Sequence, residues 1–411
     1  VSWPVANLGE LSKGGGTYGV GLASRRWEEG DPRYIRITDV AGDGRLNSDV
    51  VAPDGERIDW EKALLCEGDL LFARSGATVG KTYLHRAQVQ EAVYAGYLIR
   101  FQLDTRKILP DYAFRYTQSF EYRRWVAAAQ HAVAQPNINA KQFAALPIPL
   151  PPLDEQRRIA AVLDQAESLR RTRVRVLRLM RELIDAVFMD MFGGDPNEMI
   201  SLSEAVAEFR YGTSVKSTPA GYPVLRIPNV VGGALSLENL KFVEVDDAEF
   251  ARLRLVDGDL LFVRTNGNPD YVGRCAVYED AALARVENAR GRTVYASYLI
   301  RARLHESVSP AYLAAYLNGV GRNGIGRYVK TSAGQYNINI EGLGKIPIPK
   351  VPRHQQEKFV HRTLVARGVV DNCLLQLKQL DVLFTSLQSR AFRGELSHNP
   401  GGPTTPTSQN A

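Results

Sequence analysis

Three short stretches hold residue types whose spacing could do chemistry. Ser75-Gly76-Ala77-Thr78-Val79-Gly80-Lys81-Thr82 ends like a phosphate-cradling loop, in which backbone N–H groups and a lysine hold a nucleotide. Such a loop needs a glycine five residues before Gly80, and that place holds Ser75. Asn268-Pro269-Asp270-Tyr271 is similar to the catalytic tetrapeptide of amino-methyltransferases, but Asp270 stands where the second proline belongs. No glycine-rich cofactor loop accompanies it. Pro110-Asp111 followed by Glu121-Tyr122-Arg123 mimics a nuclease carboxylate cluster, with Arg in place of the needed Lys. That segment reads as helix, and helical packing is its expected use. The six histidines form no HExxH, and Cys66, Cys275 and Cys373 are far apart with no CxxC pair. No catalytic residue, metal site or disulfide framework is therefore expected.

The bulk numbers are compatible with a chain that binds rather than reacts. At 411 residues it exceeds one ordinary core, so two or three domains are expected. Hydrophobic residues make up 45% and charged residues 23%, the balance of a soluble globular protein. The net charge of +6 permits a polyanionic partner without requiring one. Sparse cysteines fit a reducing, cytoplasmic compartment. The N-terminal Val1-Ser2-Trp3-Pro4 shows no secretory pattern, and no apolar run of about 20 residues predicts a membrane span.

The elements that would position any site are duplicated. Gly68-Asp69-Leu70-Leu71-Phe72-Ala73-Arg74 recurs as Gly258-Asp259-Leu260-Leu261-Phe262-Val263-Arg264. Tyr94-Ala95-Gly96-Tyr97-Leu98-Ile99-Arg100 recurs as Tyr295-Ala296-Ser297-Tyr298-Leu299-Ile300-Arg301. Gln135-Pro136-Asn137-Ile138-Asn139, Leu146-Pro147-Ile148-Pro149 and Glu155-Gln156 answer to Gln335-Tyr336-Asn337-Ile338-Asn339, Ile346-Pro347-Ile348-Pro349 and Gln355-Gln356. A repeat of this length makes each unit a domain rather than a solenoid turn. The residues between matched blocks differ strongly, so each half keeps a frame and varies its filling.

Within each half, short β-type runs come first: Tyr34 to Val40, Leu70 to Arg74 and Tyr97 to Leu103 in the first half. A proline-punctuated strip that cannot be helical follows. A long helix comes last. Ile159, Val162, Ala166, Leu169, Arg173, Val176, Met180, Leu183 and Val187 step by threes and fours. So do Phe359, Thr363, Ala366, Val370, Cys373, Leu377, Leu380, Phe384, Leu387 and Ala391. Asp154 is the expected cap of the first helix, with Pro152 just outside it, and Gly193-Gly194 and Gly394 mark the ends. Each helix should be about 60 Å long. Pairing the two antiparallel buries both seams and would hold the variable domains apart about an approximate two-fold axis. The alternative is that each helix packs only on its own domain.

This arrangement resembles the specificity subunits of type I restriction–modification enzymes over essentially the whole chain. The twin Gly-Asp-Leu-Leu-Phe blocks, the twin Asn-Ile-Asn…Ile-Pro-Ile-Pro blocks and the helix opening Leu153-Asp154-Glu155-Gln156-Arg157-Arg158-Ile159 carry the resemblance. The second helix departs from the family's usual Glu-Gln opening, reading Pro352-Arg353-His354-Gln355-Gln356-Glu357. The resemblance implies an α+β chain of two pseudo-repeated mixed α/β target-recognition domains, separated by two long antiparallel coiled-coil helices. The domains would be 1–152 and 195–352, the spacer helices 153–194 and 353–396, and 397–411 a disordered tail. Each domain would read half of a split site on double-stranded DNA. The chain would dock two methyltransferase subunits and, through them, two restriction subunits. It would bind no cofactor itself, since S-adenosylmethionine, ATP and Mg belong to those partners. Half-sites about one helical turn apart, ~34 Å, suit a protein on one face of DNA.

On that reading the loops after the Gly-Asp-Leu-Leu-Phe strands are the candidate contacts: Arg74, Ser75, Thr78 and Lys81, then Arg264, Thr265, Asn266, Asn268 and Arg274. Arginine can pair with guanine and asparagine with adenine in the major groove. Gly76, Gly80, Gly267 and Gly273 would allow close approach, and an ordinary solvated loop is the competing use. Gln135, Asn137, Asn139, Gln335, Asn337 and Asn339 belong to the constant frame and read better as turn-forming amides. Arg25, Arg26, Lys216 and Arg226 are candidates for phosphates, with a plain surface charge as the other option. Arg170, Arg171, Arg175, Arg178 and Arg181 read as a salt-bridged helix face, with DNA or a methyltransferase as the alternative contact. The rival functions are an enzyme with its own cryptic methyltransferase or nuclease activity and a scaffold that binds only proteins.

Overall fold

The computed structural model describes residues 3–86, 91–130, 137–193, 198–231, 234–237, 239–283, 286, 291–332 and 334–396. Gln135, Gly194 and the segment from 397 onward lie outside them. The chain forms two compact units, Val1–Arg170 with Gln379–Ala411, and Arg171–Lys378. Two long helices, α1 (Leu153–Phe192) and α2 (Arg353–Arg393), contribute a part to each unit.

In the first unit the start of α1 lies against the end of α2. Ile159 and Leu163 share a core with Ala391 and Phe392. Farther along, the Arg170 guanidinium donates to Asp381 at 2.5 Å. In the second unit the later part of α1 meets the earlier part of α2. Leu177 packs with Val370 and Cys373, Arg362 donates to Asp190 at 2.9 Å, and Phe359 sits between Phe188 and Phe192. Rising numbers on one helix meet falling numbers on the other, so the pair is antiparallel. Each end also packs on its own domain.

All ten expected seam positions of α2 are buried or half-buried. On α1 the seam needs correcting. Leu169 and Leu183 are 51% and 47% exposed, while Ile159, Leu163, Leu177 and Phe188 form the buried line. A 3.5-residue repeat slips around a 3.6-residue helix by about 20° per heptad. On α1 that slip turns Leu163 and Phe188 into their domain cores, while Leu169 and Leu183 face outward. The start of α1 also differs from expectation. The Pro152 carbonyl already accepts from the Gln156 N–H at 3.0 Å, so Asp154 lies inside the first turn, where it takes a hydrogen bond from Arg157 at 2.7 Å.

Each helix is fastened to its domain by the same glutamine. Gln156 Oε1 accepts from the Leu109 N–H at 2.8 Å, and its Nε2 donates to the carbonyls of Lys107 and Pro151. Gln356 repeats this with the Ser309 N–H at 2.7 Å and the carbonyls of Ser307 and Val351. The residue where the halves differ, Glu155 against Gln355, precedes this lock, and Glu155 pairs instead with Arg158.

Both units are built on a four-stranded antiparallel sheet of the same order. In the first unit β1 (Thr17–Tyr18), β2 (Asp69–Ala73), β3 (Thr82–Leu84) and β4 (Leu98–Gln102) run in the spatial order β1-β4-β2-β3. In the second, β5 (Val206–Tyr211), β6 (Leu260–Val263), β7 (Cys275–Val277) and β8 (Leu299–Leu304) run β5-β8-β6-β7. Registers agree as well: Leu71 faces Arg100, and Leu261 faces Arg301. The central strands are buried on both faces. Side chains alternate across a strand, so Leu70 and Phe72 enter one core, and Leu71 and Ala73 another. Leu260 and Phe262 are likewise parted from Leu261 and Val263. The run expected from Tyr34 to Val40 is a strand only over Arg33–Ile35. The proline strips form edge strands, Pro147–Pro149 against Val5–Asn7 and Pro347–Pro349 against Met199–Ser201. An edge is where a residue without an N–H costs no ladder bond.

Candidate nucleic-acid interface

Where β2 ends, Arg74 is held by its main chain on both sides. Its N–H donates to the Tyr97 carbonyl at 3.0 Å, and its carbonyl accepts from Ile138 at 2.9 Å. The guanidinium lies 4.9 Å from the Tyr18 ring centre, and its Nε donates to Asn137 Oδ1 at 3.3 Å. The Tyr18 hydroxyl accepts from the Ala140 N–H at 3.1 Å. Asn139 caps the helix Ala140–Ala144 through the Gln142 N–H.

The second half rebuilds this group. The Arg264 N–H donates to the Tyr298 carbonyl at 3.0 Å, and its carbonyl accepts from Ile338 at 2.9 Å. The guanidinium lies 4.8 Å from the Tyr211 ring centre and donates to the Ser297 carbonyl. The Tyr211 hydroxyl accepts from Ile340 at 3.1 Å, and Asn339 caps Ile340–Gly344. A Cβ on Gly19 or Gly212, the residue after each tyrosine, would meet a neighbouring carbonyl oxygen at 2.2 Å. Only glycine lets that strand end sit so close, which fixes the Tyr-Gly pair in both halves. Beside each arginine an aromatic ring faces solvent: Tyr97 is 62% exposed and Tyr298 59%.

Beyond the arginines each loop keeps a bridge to Asn137 or Asn337 and one 3-10 turn, and the side chains it carries diverge. Ser75 bridges to Asn137, Gly76–Thr78 forms a single 3-10 turn, and the Thr78 hydroxyl donates to the Ser75 carbonyl. Lys81 is spanned inward, donating to the Val40 carbonyl at 3.1 Å. No helix follows Lys81, only β3, so the phosphate-loop geometry is absent there. In the second half Thr265–Asn266 pairs as a strand with Asn337 and Tyr336. Asn266 accepts from the Asn268 N–H, and Asn268 accepts from the Asp270 N–H, both at 2.9 Å. Arg274 covers the Tyr271 ring at 4.2 Å and donates to the Asp270 carbonyl. Thus the structure gathers Arg74, Ser75, Thr78 and Lys81 on one loop, and Arg264, Thr265, Asn266, Asn268 and Arg274 on its counterpart. Burial, and then the Arg274 charge, lower the pKa of both Arg181 and Arg322, so this side of the second unit is crowded with cations.

Other sequence candidates have structural partners. Arg25 is paired with Asp31 at 2.6 Å, and Arg226 donates to the Asn239 carbonyl. Lys216 is exposed. Arg170 pairs with Asp381 and Arg178 with Glu182, as a salt-bridged face requires. Asp111 pairs with Arg86, and Tyr122 is buried with its hydroxyl donating to the Gly80 carbonyl. Among the described residues no three His, Cys, Asp or Glu side chains are placed to hold a metal, and no helix is long and apolar enough to cross a membrane. The sequence reading missed Tyr18, Tyr211, Tyr97 and Tyr298. Tyr97 and Tyr298 sit inside a repeated block, and Tyr18-Gly19 recurs as Tyr211-Gly212, a signal too short to stand out alone.

Residues 1–174 match the model of the type I restriction modification DNA specificity domain. The type I restriction enzyme EcoKI specificity subunit of Escherichia coli (strain K12) is 28% identical over 314 residues, 71% of this chain and 66% of that protein. The StySPI specificity subunit of Salmonella potsdam is 24% identical over 317 residues, again 71% and 66%. The chain is similar to the specificity subunits of type I restriction–modification systems. The chain aligns with just under two thirds of the length of these relatives. A solved S subunit of a type I system from M. genitalium is 15% identical, with a TM-score of 0.58 over 95% of this chain and 96% of that one. The chain therefore shares that fold.

Proposed function

We propose that this chain is a specificity subunit, the non-catalytic DNA-recognition component of a type I restriction–modification enzyme. Each half reads one part of a bipartite target on double-stranded DNA, with 1–152 and 195–352 as the recognition domains. The helices 153–194 and 353–396 set the spacing between half-sites, and 397–411 is a tail. The observation that carries the reading is a frame built twice, residue for residue, that presents two different loops. A reader of two unrelated half-sites needs that combination. Arg74, Ser75, Thr78 and Lys81 face one half-site, and Arg264, Thr265, Asn266, Asn268 and Arg274 the other. Methyltransferase and restriction subunits supply S-adenosylmethionine, ATP and Mg, and the complex works in the cytoplasm.

The test is to co-express the chain with its methyltransferase and map the modified bases. Exchange of residues 1–152 for those of a relative should change one half of the methylated sequence and leave the other. A change in both halves, or in neither, sinks the model of independent readers. Methylation or cleavage by the purified chain alone, given S-adenosylmethionine or Mg²⁺, would instead make it an enzyme.

A further inference from the structure

We infer that Arg74 with Tyr97, and Arg264 with Tyr298, grip the sugar–phosphate backbone at equivalent places in the two half-sites and take no part in choosing bases. This rests on the DNA-recognition reading above and narrows it, since both arginines also lie on the loops that reading assigns to the target. The two arginines share main-chain partners, a covering tyrosine at 4.8–4.9 Å and a neighbouring exposed tyrosine, although the loops that follow them carry different side chains. A base-reading contact made twice from one geometry would impose the same base at the same place in both half-sites. A phosphate is present at that place whatever the sequence, so a contact belonging to the frame suits the backbone.

The side chains fit that task. Each guanidinium is pinned by a ring and one hydrogen bond, so little freedom is lost on binding. Arg74 Nη1 and Nη2 make no hydrogen bond among the described residues, and Arg264 spends only Nη1, on the Ser297 carbonyl. Both therefore keep donors for phosphate oxygens. Tyr97 and Tyr298 sit on tight turns closed by Leu98 to Ala95 and Leu299 to Ala296, which hold more than half of each ring in solvent. Packing does not explain two exposed rings at matching positions, whereas a tyrosine hydroxyl is an ordinary donor to phosphate. Base choice then falls to the residues that differ: Ser75, Thr78 and Lys81 against Thr265, Asn266, Asn268 and Arg274.

The experiment measures duplex binding by the chain assembled with its methyltransferase, on target and unrelated DNA, across a salt series. Arg74→Gln and Arg264→Gln should each weaken binding to both duplexes by the same factor. Each should reduce the slope of log affinity against log salt by about one, with the methylated sequence unchanged. Arg74→Lys and Arg264→Lys should restore the slope, which a merely structural role would not. Tyr97→Ala and Tyr298→Ala, at exposed sites, should weaken both duplexes alike without altering the melting temperature. A shift of base preference in one half-site, or an unchanged affinity and slope in the glutamine variants, overturns the inference while leaving DNA recognition standing. If the unaltered assembly shows no salt-dependent duplex binding, both readings fall.

Discussion

The loops after Arg74 and Arg264 leave and rejoin the same frame and differ between. The first closes in one 3-10 turn and draws Lys81 onto the Val40 carbonyl. The second runs on as a strand, chains Asn266 to Asn268, and lays Arg274 over Tyr271. The same contrast recurs in the cores. Phe359 stands among Phe188, Phe192 and Tyr312, while its counterpart Ile159 shares its core with Phe392 and Tyr112. Duplication has preserved backbone hydrogen bonds and strand order. It has preserved much of the two cores as well, but not the side chain that each long helix sends into them at Ile159 and Phe359.

Truncations test this most strongly. Phe359→Ala should destabilise the second unit by about 4 kcal/mol, and Ile159→Ala the first by about 3 kcal/mol, because the ring leaves the larger cavity. Urea unfolding followed by hydrogen exchange in each unit measures both, and a larger loss for Ile159 would reverse the comparison. The frame should behave in the opposite way. Gln156→Leu and Gln356→Leu each strand a buried N–H and two carbonyls, so each should cost its own unit about 2–3 kcal/mol. Markedly unequal costs would show that the two locks are not equivalent.

A smaller difference is written in pH. The carbonyl that accepts from the Gly68 N–H belongs to His85, and the one that accepts from Gly258 belongs to Tyr278. Burial lowers the His85 pKa below its ordinary 6.5, against the opposing charges of Asp69 and Glu67. A histidine depressed by folding contributes stability above its unfolded pKa, and that stability is lost as pH falls through 6.5 towards the folded value. Between pH of about 7.5 and about 5.5, amide protection of Asp69–Ala73 should therefore drop more than that of Leu260–Val263. His85→Tyr should remove the difference, and persistence of it in that variant would assign the acid sensitivity elsewhere. The smallest effect concerns α1. Leu183→Gln should change stability by no more than about 0.5 kcal/mol in thermal melts, whereas Leu177→Ala costs about 2 kcal/mol or more. A large loss from Leu183 would restore the seam first read from the heptads.

Much of the frame was legible. The repeat announced two similar domains, the apolar spacing announced two long helices, and the prolines announced non-helical strips. The heptads on α2 held at every position from Phe359 to Ala391. On α1 seven of nine positions are buried or half-buried, and Leu169 and Leu183 face solvent instead. Periodicity sees only one stripe. Of the candidate site, the arginines and loop polars could be named in advance. Their brackets could not, because Tyr18 and Asn137 are distant in sequence from Arg74 and become its neighbours only when the sheet forms.

The sequence by itself determined the duplication, the order of elements and which residues recur, since repetition and period are properties of a string. Tertiary structure alone decided which recurring residues are buried locks, such as Gln156 and Gln356, and which are left with donors to offer, such as Arg74 and Arg264. The physical reason is that a polar side chain's role depends on whether its hydrogen bonds are already met. Segments far apart in the chain supply those bonds.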